Sequence, residues 1–203
     1  MARRWEILHA PVSVALVSIS ATDIAMSNND LNNGAAPRAT FDIRPARPDD
    51  YAFAEALYID SMRPLMNGLA PWNEAERRAA LRRSFKTADT SIIIVEAHDV
   101  GWMQVTERDT DYNLAQLQIL ERCCGKGIGT TLIGDLLRRA ESEGRTVSLS
   151  AVRTNRAIGL YERLGFRILD PDATPIIDMV WGEDRALANG PAAPAPSGPG
   201  RAG

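Results

Sequence analysis

Apolar residues recur with two different spacings between about residues 40 and 183, and this pattern predicts one folded domain. Alternation, or a dense run of β-branched residues, is typical of strands, whereas apolar residues three and four positions apart indicate a helix. Strands are predicted at 41–43, 91–97, 102–108, 112–120, 146–152, 166–169 and 176–181. Helices are predicted at about 48–64, 73–85, 127–142 and 155–164. This succession predicts a mixed sheet with helices on its faces, an α/β or α+β architecture.

Single residues mark the limits of several elements. Pro64 is expected to end or bend the first helix, Asn73 to cap the second and Gly144 to terminate the third. Residues 98–101 are expected to form the turn between two strands. The first helix is expected to point four residues towards the core, namely Phe53, Ala56, Leu57 and Met62.

The two ends of the chain do not carry the pattern of a packed domain. Residues 27–38 are rich in Asn and read as a linker, and residues 188–203 consist mainly of Ala, Pro, Gly and Ser. We therefore expect a disordered or non-native extension at 1–38, a domain at 39–183 and a disordered tail at 184–203. Arg3 and Arg4 before the apolar run 7–19 have the outline of a signal peptide, and a start at Met26 is the alternative.

Composition narrows the function classes. The chain has 203 residues, of which 23 are basic and 26 acidic, giving a net charge of −3. This balance argues against a nucleic-acid-binding protein, and the run 7–19 is too short to span a bilayer, so no membrane partner is expected. Cys123 and Cys124, the only cysteines, are adjacent, which favours a reduced, cytoplasmic protein. His9 and His98 are the only histidines, so no zinc cluster and no other metal site is expected.

A glycine-rich loop between a predicted strand and a predicted helix indicates a phosphate site. Gly125, Gly127 and Gly129 leave backbone N–H groups uncovered, and the helix that starts there adds unpaired donors and a positive dipole end. The loop does not fit the nucleotide P-loop, because Gly127 follows the Gly-Lys pair where Ser or Thr is required. It does not fit the dinucleotide fingerprint either, because Leu132 replaces the third glycine.

The loop and a second motif together resemble the two signatures of the GNAT superfamily of N-acetyltransferases. The loop signature runs from Gly125 to Ile133, and the stretch from Asn155 to Phe166 is similar to N-x-x-A-x-x-L-Y-x-x-x-G-F. About one helix and one strand separate them, and the resemblance covers residues 40–181. It implies a mixed, mostly antiparallel sheet of six to seven strands flanked by about four helices. It also implies that acetyl-CoA is the cosubstrate and an amine of unknown identity, small or part of a protein, is the acceptor.

The same resemblance implies roles for individual residues. Asn155, which taken alone is a helix N-cap, would contact the pantetheine arm or its bound-water network. Tyr161 would be the acid that protonates the leaving thiolate, since a tyrosine with a pKa of about 10 is protonated at neutral pH and can donate to the sulfur of a thiol with a pKa of about 8.5. A core tyrosine is the alternative for Tyr161. Cys124 stands where the family usually has Arg or Gln, and weaker cofactor binding is expected from this change. The strand end would supply donors to the thioester oxygen, and the loop would hold the pyrophosphate. The strand-end residues are Ile119 and Leu120, beside Gln118. The loop residues are Cys124, Gly125, Lys126, Gly127, Ile128, Gly129 and Thr130.

A general base is the least determined part of the prediction. Glu121 and Glu107 lead among the carboxylates on or beside the central strands, ahead of Glu96 and Asp111, although each is also compatible with a solvated charge at a strand end. A non-catalytic acyl-CoA-binding or regulatory module is the rival function, and a thiol enzyme that uses Cys124 is a third hypothesis. A homodimer is compatible with the sequence.

Overall fold

The computed structural model describes residues 40–69 and 71–182. The predictions for the linker, the apolar run near the N-terminus and the C-terminal tail lie outside these residues. Among the described residues, no helix is long and apolar enough to cross a membrane.

Within residues 40–69 and 71–182, seven strands form one sheet. They are β1 (Asp42–Pro45), β2 (Thr90–Val95), β3 (His98–Glu107), β4 (Asp111–Ile119), β5 (Thr146–Val152), β6 (Arg167–Ile168) and β7 (Ile176–Trp181). Their spatial order is β1-β2-β3-β4-β5-β7-β6, and only the β4–β5 pair is parallel. The predicted mixed, mostly antiparallel sheet of six to seven strands is therefore confirmed.

In the same described part of the chain, four α-helices flank the sheet. They are α1 (Tyr51–Met66), α2 (Glu74–Ser84), α3 (Ile128–Glu143) and α4 (Ile158–Arg163). Asn73 caps α2 by accepting a hydrogen bond from the Glu76 N–H at 3.2 Å, and Gly144 ends α3 in the left-handed conformation, both as predicted. Pro64 lies inside the last turn of α1, which continues to Met66.

Two sequence predictions about this region are wrong. The β2–β3 turn is formed by Glu96 and Ala97, both with positive φ, and β3 already begins at His98. Neither turn residue is Gly or Asn, so no local signal marked a left-handed pair. Ala56 is exposed although the sequence placed it towards the core, because the buried face of α1 runs through Ala54, Leu57 and Tyr58. An alanine has too little apolar surface to indicate which face of a helix is buried.

The core has a layer on each face of the sheet. On one face α3 and α4 pack against the central strands, with Ile133, Leu137 and Leu160 among the buried residues. On the other face α1 and α2 pack over Ile92 and Trp102. The two layers hold β4 and β5 in the middle of the domain, where the sheet is irregular.

Candidate functional site

The two central strands separate along their length. β4 pairs with β5 only over Asp111–Asn113, opposite Thr146–Ser148. Beyond these residues β4 continues to Ile119 without pairing to β5, whereas β5 remains paired with its other neighbour, β7, as far as Val152. A wedge-shaped gap therefore opens between the carboxyl ends of two parallel strands, a place where ligands commonly bind in open sheets.

The backbone of β4 presents polar groups to this gap. The Leu120 N–H donates to the Val100 carbonyl on β3 at 2.8 Å, so Leu120 lies in a hydrogen-bonded pair of the antiparallel ladder. The backbone groups of successive residues point to alternate sides, so the N–H of Ile119 points away from β3, towards the gap. Of the predicted thioester-oxygen donors, the geometry favours Ile119, because the Leu120 N–H is already used.

The glycine loop closes the end of the gap and leads directly into α3. Gly125 and Gly127 have φ values of 77° and 78°, a left-handed conformation that glycine adopts without steric cost. Thr131 donates the first intrahelical bond, to the Gly127 carbonyl at 3.0 Å. The preceding amides, from Ile128 to Thr130, have no intrahelical acceptor, and Gly127 offers no side chain to cap them. These donors and the helix dipole form an anion site.

Cys124 stabilises the loop rather than offering a charge to it. Its thiol lies 3.6 Å from the Ile119 carbonyl and 3.5 Å from the Leu120 carbonyl, so the side chain points back to the strand end. Arg122, Lys126 and Arg156 are exposed and form no ion pair with another residue of the described chain. These three cations are therefore available for the phosphates of a ligand at the loop.

A cleft of about 560 Å³ lies at the mouth of the gap, and we call it the inner cleft. One wall is the second half of α1, from Leu57 to Leu65. The second wall is the end of β4 with Ile119, Leu120 and Glu121, and the third follows β5 with Thr154, Asn155 and Arg156. The cleft therefore joins the predicted cofactor residues at the strand ends to a helix from the opposite face of the sheet.

Asn155 is a buried wall residue whose side chain is half satisfied. Its residue surface is 4% exposed, and its Oδ1 accepts a hydrogen bond from the Ala157 N–H at 2.9 Å, at the start of α4. Its Nδ2 has no partner in the described part of the chain. A buried donor without an acceptor is costly, so a ligand carbonyl in the inner cleft would satisfy a group that the fold leaves open.

Tyr161 lies in the core. Its side chain is fully buried, and its ring packs edge-on against Phe166 with 5.7 Å between the ring centroids. This placement agrees with the alternative interpretation, a packing tyrosine, and it leaves the role of an acid untested. Tyr161 lies on α4, six residues after Asn155 of the inner-cleft wall.

The structure separates the two predicted bases. Glu121 is exposed, lines the inner cleft and has no ion pair within the described residues. Glu107 lies at the end of β3 that is far from the inner cleft. The near end is marked by Gly101, which pairs with Ile119, and the rise of an extended strand separates Gly101 from Glu107 by about 20 Å. Glu107 is held there by ion pairs with Arg139 and Arg145. Glu121 is therefore the predicted carboxylate that the structure brings together with the loop and Asn155.

A second cleft of about 690 Å³, the outer cleft, lies beside the first and shares Asp60 and Pro64 with it. Its far side is the α1–α2 connection, with Asn67, Pro71 and Trp72. Ion pairs hold these walls. Arg78 binds Glu55 of α1 at 2.5 Å and Glu74 of α2 at 2.9 Å, and Arg63 also pairs with Glu74.

Tyr51 and Glu55 add to this attachment between the helices. The Tyr51 hydroxyl donates to Glu55 at 2.7 Å, and this bond together with Arg78 lowers the pKa of Glu55. Burial, and then the Glu55 carboxylate, raise the pKa of Tyr51 to about 12. Both side chains therefore keep their roles as donor and acceptor across neutral pH.

Asp60 is a charged wall residue that the sequence did not single out. It lies on α1 between Leu57 and Pro64, so these three residues share one helix face at the i, i+3, i+7 spacing. A polar residue within an otherwise apolar stripe was the available signal. Only the fold shows that this stripe faces the ends of β4 and β5.

No group of three or more metal-ligating side chains is present among residues 40–69 and 71–182. His98, in the β2–β3 hairpin, donates one hydrogen bond from Nδ1 to the Glu96 carbonyl, 2.7 Å away. The polar side chains that line the inner cleft are those of Asp60, Ser61, Glu121, Thr154, Asn155 and Arg156.

A family model described as an acetyltransferase (GNAT) domain matches residues 88–168. The match includes the gap, the glycine loop and the whole of the second motif. No curated protein matches the chain.

Solved structures with the same fold include several acetyltransferases. The PaiA N-acetyltransferase of Thermoplasma acidophilum, in complex with coenzyme A, is 15% identical with a TM-score of 0.54, over 70% of this chain and 98% of that chain. The ribosomal-protein-S18-alanine N-acetyltransferase of Escherichia coli is 18% identical with a TM-score of 0.50, over 70% of this chain and 92% of that chain. N-acetylglutamate synthase of Neisseria gonorrhoeae, in complex with coenzyme A and N-acetyl-glutamate, is 18% identical with a TM-score of 0.50. The similarity covers 71% of this chain and 35% of that chain. At these identities the similarity establishes the fold, and it confirms the predicted GNAT-like architecture.

Proposed function

We propose that this chain, whose residues 88–168 match an acetyltransferase (GNAT) domain model, transfers an acetyl group from acetyl-CoA to an amine. The observation that carries the proposal is the junction of the β4–β5 gap, the uncapped start of α3 and the unpartnered Asn155 Nδ2. The three features lie along one path from the loop to the inner cleft. An extended ligand with phosphates at one end and amide carbonyls along its length suits this path.

The chain's own residues would bind and orient the cosubstrate. The amides from Ile128 to Thr130 would hold the pyrophosphate, with Lys126 and Arg122 adding positive charge. Asn155 would donate Nδ2 to a carbonyl of the pantetheine arm while its Oδ1 stays bound to Ala157.

The Ile119 N–H would donate to the thioester oxygen as it gains negative charge. The amine nitrogen forms a bond to the carbonyl carbon, the carbon–sulfur bond breaks, and the nitrogen loses a proton while the sulfur gains one. An ammonium group has no free electron pair, so the acceptor must lose a proton before attack, and Glu121 is the carboxylate in place to receive it. Tyr161 stays a predicted proton donor to the sulfur. For this role its hydroxyl has to contact the thioester in the bound state, because the side chain is buried in the unliganded fold.

The test is the release of coenzyme A thiol from acetyl-CoA in the presence of a panel of amines, with acetyl-CoA binding measured alongside. Amine-dependent release supports the transferase. Binding without amine-dependent release would support the rival function, a non-catalytic acyl-CoA-binding module. A Cys124→Ala variant that retains full release would exclude the thiol-enzyme hypothesis.

A further inference from the structure

The inner and outer clefts form one continuous surface along α1. Asp60 and Pro64 line both, so the surface runs from the strand ends at Glu121 to the α1–α2 connection at Trp72. An acceptor whose reacting nitrogen lies in the inner cleft therefore has room for the rest of its structure beside Asp60. This step rests on the proposed function, because it takes the inner cleft as the place of reaction.

The charges of this surface are unevenly matched. Asp60 is exposed and forms no ion pair or hydrogen bond with another described residue. Arg63, the cation of the outer cleft, already pairs with Glu74. The remaining residues of the outer cleft, Asn67 among them, carry no charge. The carboxylate of Asp60 is therefore the unmatched charge of the outer cleft.

One further feature suits a ligand with a cation, and another shows that the surface adjoins a binding site. The Trp72 ring lines the outer cleft with Pro64, and tryptophan is the aromatic side chain that binds cations best. The inner cleft contains Asn155, which is 4% exposed with an unpartnered Nδ2, so the surface adjoins a built binding site. The cation of the inner cleft, Arg156, lies on the wall after β5, across the cleft from α1.

We propose that Asp60 is a specificity-determining residue that selects acceptors with a positive charge apart from the reacting nitrogen. The acceptor class is a diamine, or a longer amine with a second ammonium group. Asp60 would bind the ammonium that does not react, beside the Trp72 ring of the outer cleft. Pro64 would contact the methylene chain, and the other nitrogen would reach Glu121 in the inner cleft.

The experiment compares butylamine with the diamine of the same chain length. Each is titrated calorimetrically into the full chain saturated with coenzyme A, so that binding is measured without turnover. We expect the diamine to bind about tenfold more tightly. Asp60→Asn should remove most of this difference. The matched control is Asp109→Asn, which removes an exposed carboxylate from the β3–β4 connection at the other end of the sheet and should preserve the difference.

Each outcome decides the inference. Equal affinities, no measurable binding of the diamine, or an unchanged preference in Asp60→Asn would overturn the role of Asp60. Acetyl transfer to both amines is measured on the same proteins. Transfer without charge preference would contradict the inference and leave the proposed function intact. Preferential diamine binding without transfer to any amine would support the role of Asp60 and contradict the proposed function.

Discussion

Asn155 and Ala157 are joined by one hydrogen bond, from the Ala157 N–H to Asn155 Oδ1 at 2.9 Å, and this bond fixes where the other end of the carboxamide points. The Nδ2 group is left buried with no partner among the described residues. Half of this side chain therefore supports the start of α4, and the other half is available to a ligand. The two functions can be separated by substitution.

Asn155→Asp keeps the oxygen that binds Ala157 and removes the donor. We expect acetyl-CoA binding to weaken about tenfold, the loss of one buried hydrogen bond, and the melting temperature to fall because a carboxylate replaces a neutral amide at a buried position. Asn155→Ala removes both bonds and should also lower stability by about 1 kcal/mol. Calorimetric titration and thermal unfolding check the two effects. Full acetyl-CoA affinity in Asn155→Asp would show that Nδ2 does not contact the cosubstrate.

Gly127 and Gly144 allow the anion site to be tested with a matched pair at the two ends of α3. Both have positive φ, 78° and 66°, and an added Cβ would meet no atom within 4 Å at either. Alanine at either position should cost about 1 kcal/mol from the left-handed backbone alone. Only Gly127→Ala should weaken acetyl-CoA binding, because it shifts the amides that begin α3. Equal binding by both variants would place the pyrophosphate elsewhere.

Tyr161 and Tyr112 distinguish chemistry from packing. Both are fully buried, and the Tyr112 hydroxyl donates to Glu143 at the far end of the sheet. If Tyr161 protonates the leaving sulfur, Tyr161→Phe lowers kcat at least tenfold with acetyl-CoA affinity nearly unchanged. Tyr112→Phe should lower stability by about 1 kcal/mol and leave kcat alone. Steady-state kinetics and chemical unfolding separate the cases, and an unaltered kcat in Tyr161→Phe would leave that residue a packing role.

Asp50 predicts a pH dependence of stability. Arg44 donates to both of its carboxylate oxygens, at 2.7 and 2.9 Å, and this bonding lowers the pKa of Asp50 in the folded protein. A lowered folded pKa gives a stabilisation that is complete above the unfolded value of about 3.9 and is lost as the pH falls through the folded value.

Chemical unfolding of the wild type and Asp50→Asn should therefore differ by about 1 kcal/mol at neutral pH, and the difference should shrink below pH of about 4. Asp49→Asn, at an exposed neighbour with no ion pair in the described chain, is the control and should show no such trend. If the free energies of unfolding of the wild type and Asp50→Asn differed by the same amount at neutral pH and below pH of about 4, the lowered pKa of Asp50 would be contradicted.

The sequence was informative where local patterns determine structure. The runs 146–152 and 176–181 were predicted with the limits that β5 and β7 have, since β-branched residues and flanking turn residues mark them without tertiary context. The glycine loop and the caps of α2 and α3 were equally visible, because left-handed glycines and an Asn cap act within one turn.

The remaining features depend on contacts between distant segments. The position of Asp60 relative to Glu121 is set by the packing of α1 across the ends of β4 and β5, which no local pattern encodes. Glu107 and Glu121 looked equivalent in sequence, and only the antiparallel register of β3 on β4 puts them at opposite ends of the sheet. The turn at Glu96 and Ala97 was missed because the hairpin register, rather than the residues, imposes its backbone.

The central claim is transfer of an acetyl group to an amine, and isotope transfer tests it most directly. The full chain is incubated with acetyl-CoA labelled in the acetyl group and with amine acceptors, and the products are identified by mass spectrometry. We predict a labelled N-acetyl amine formed in equal amount to the free thiol, and much less of both with Gly127→Ala. Thiol release without labelled amine, or binding of acetyl-CoA with neither product, would contradict the account.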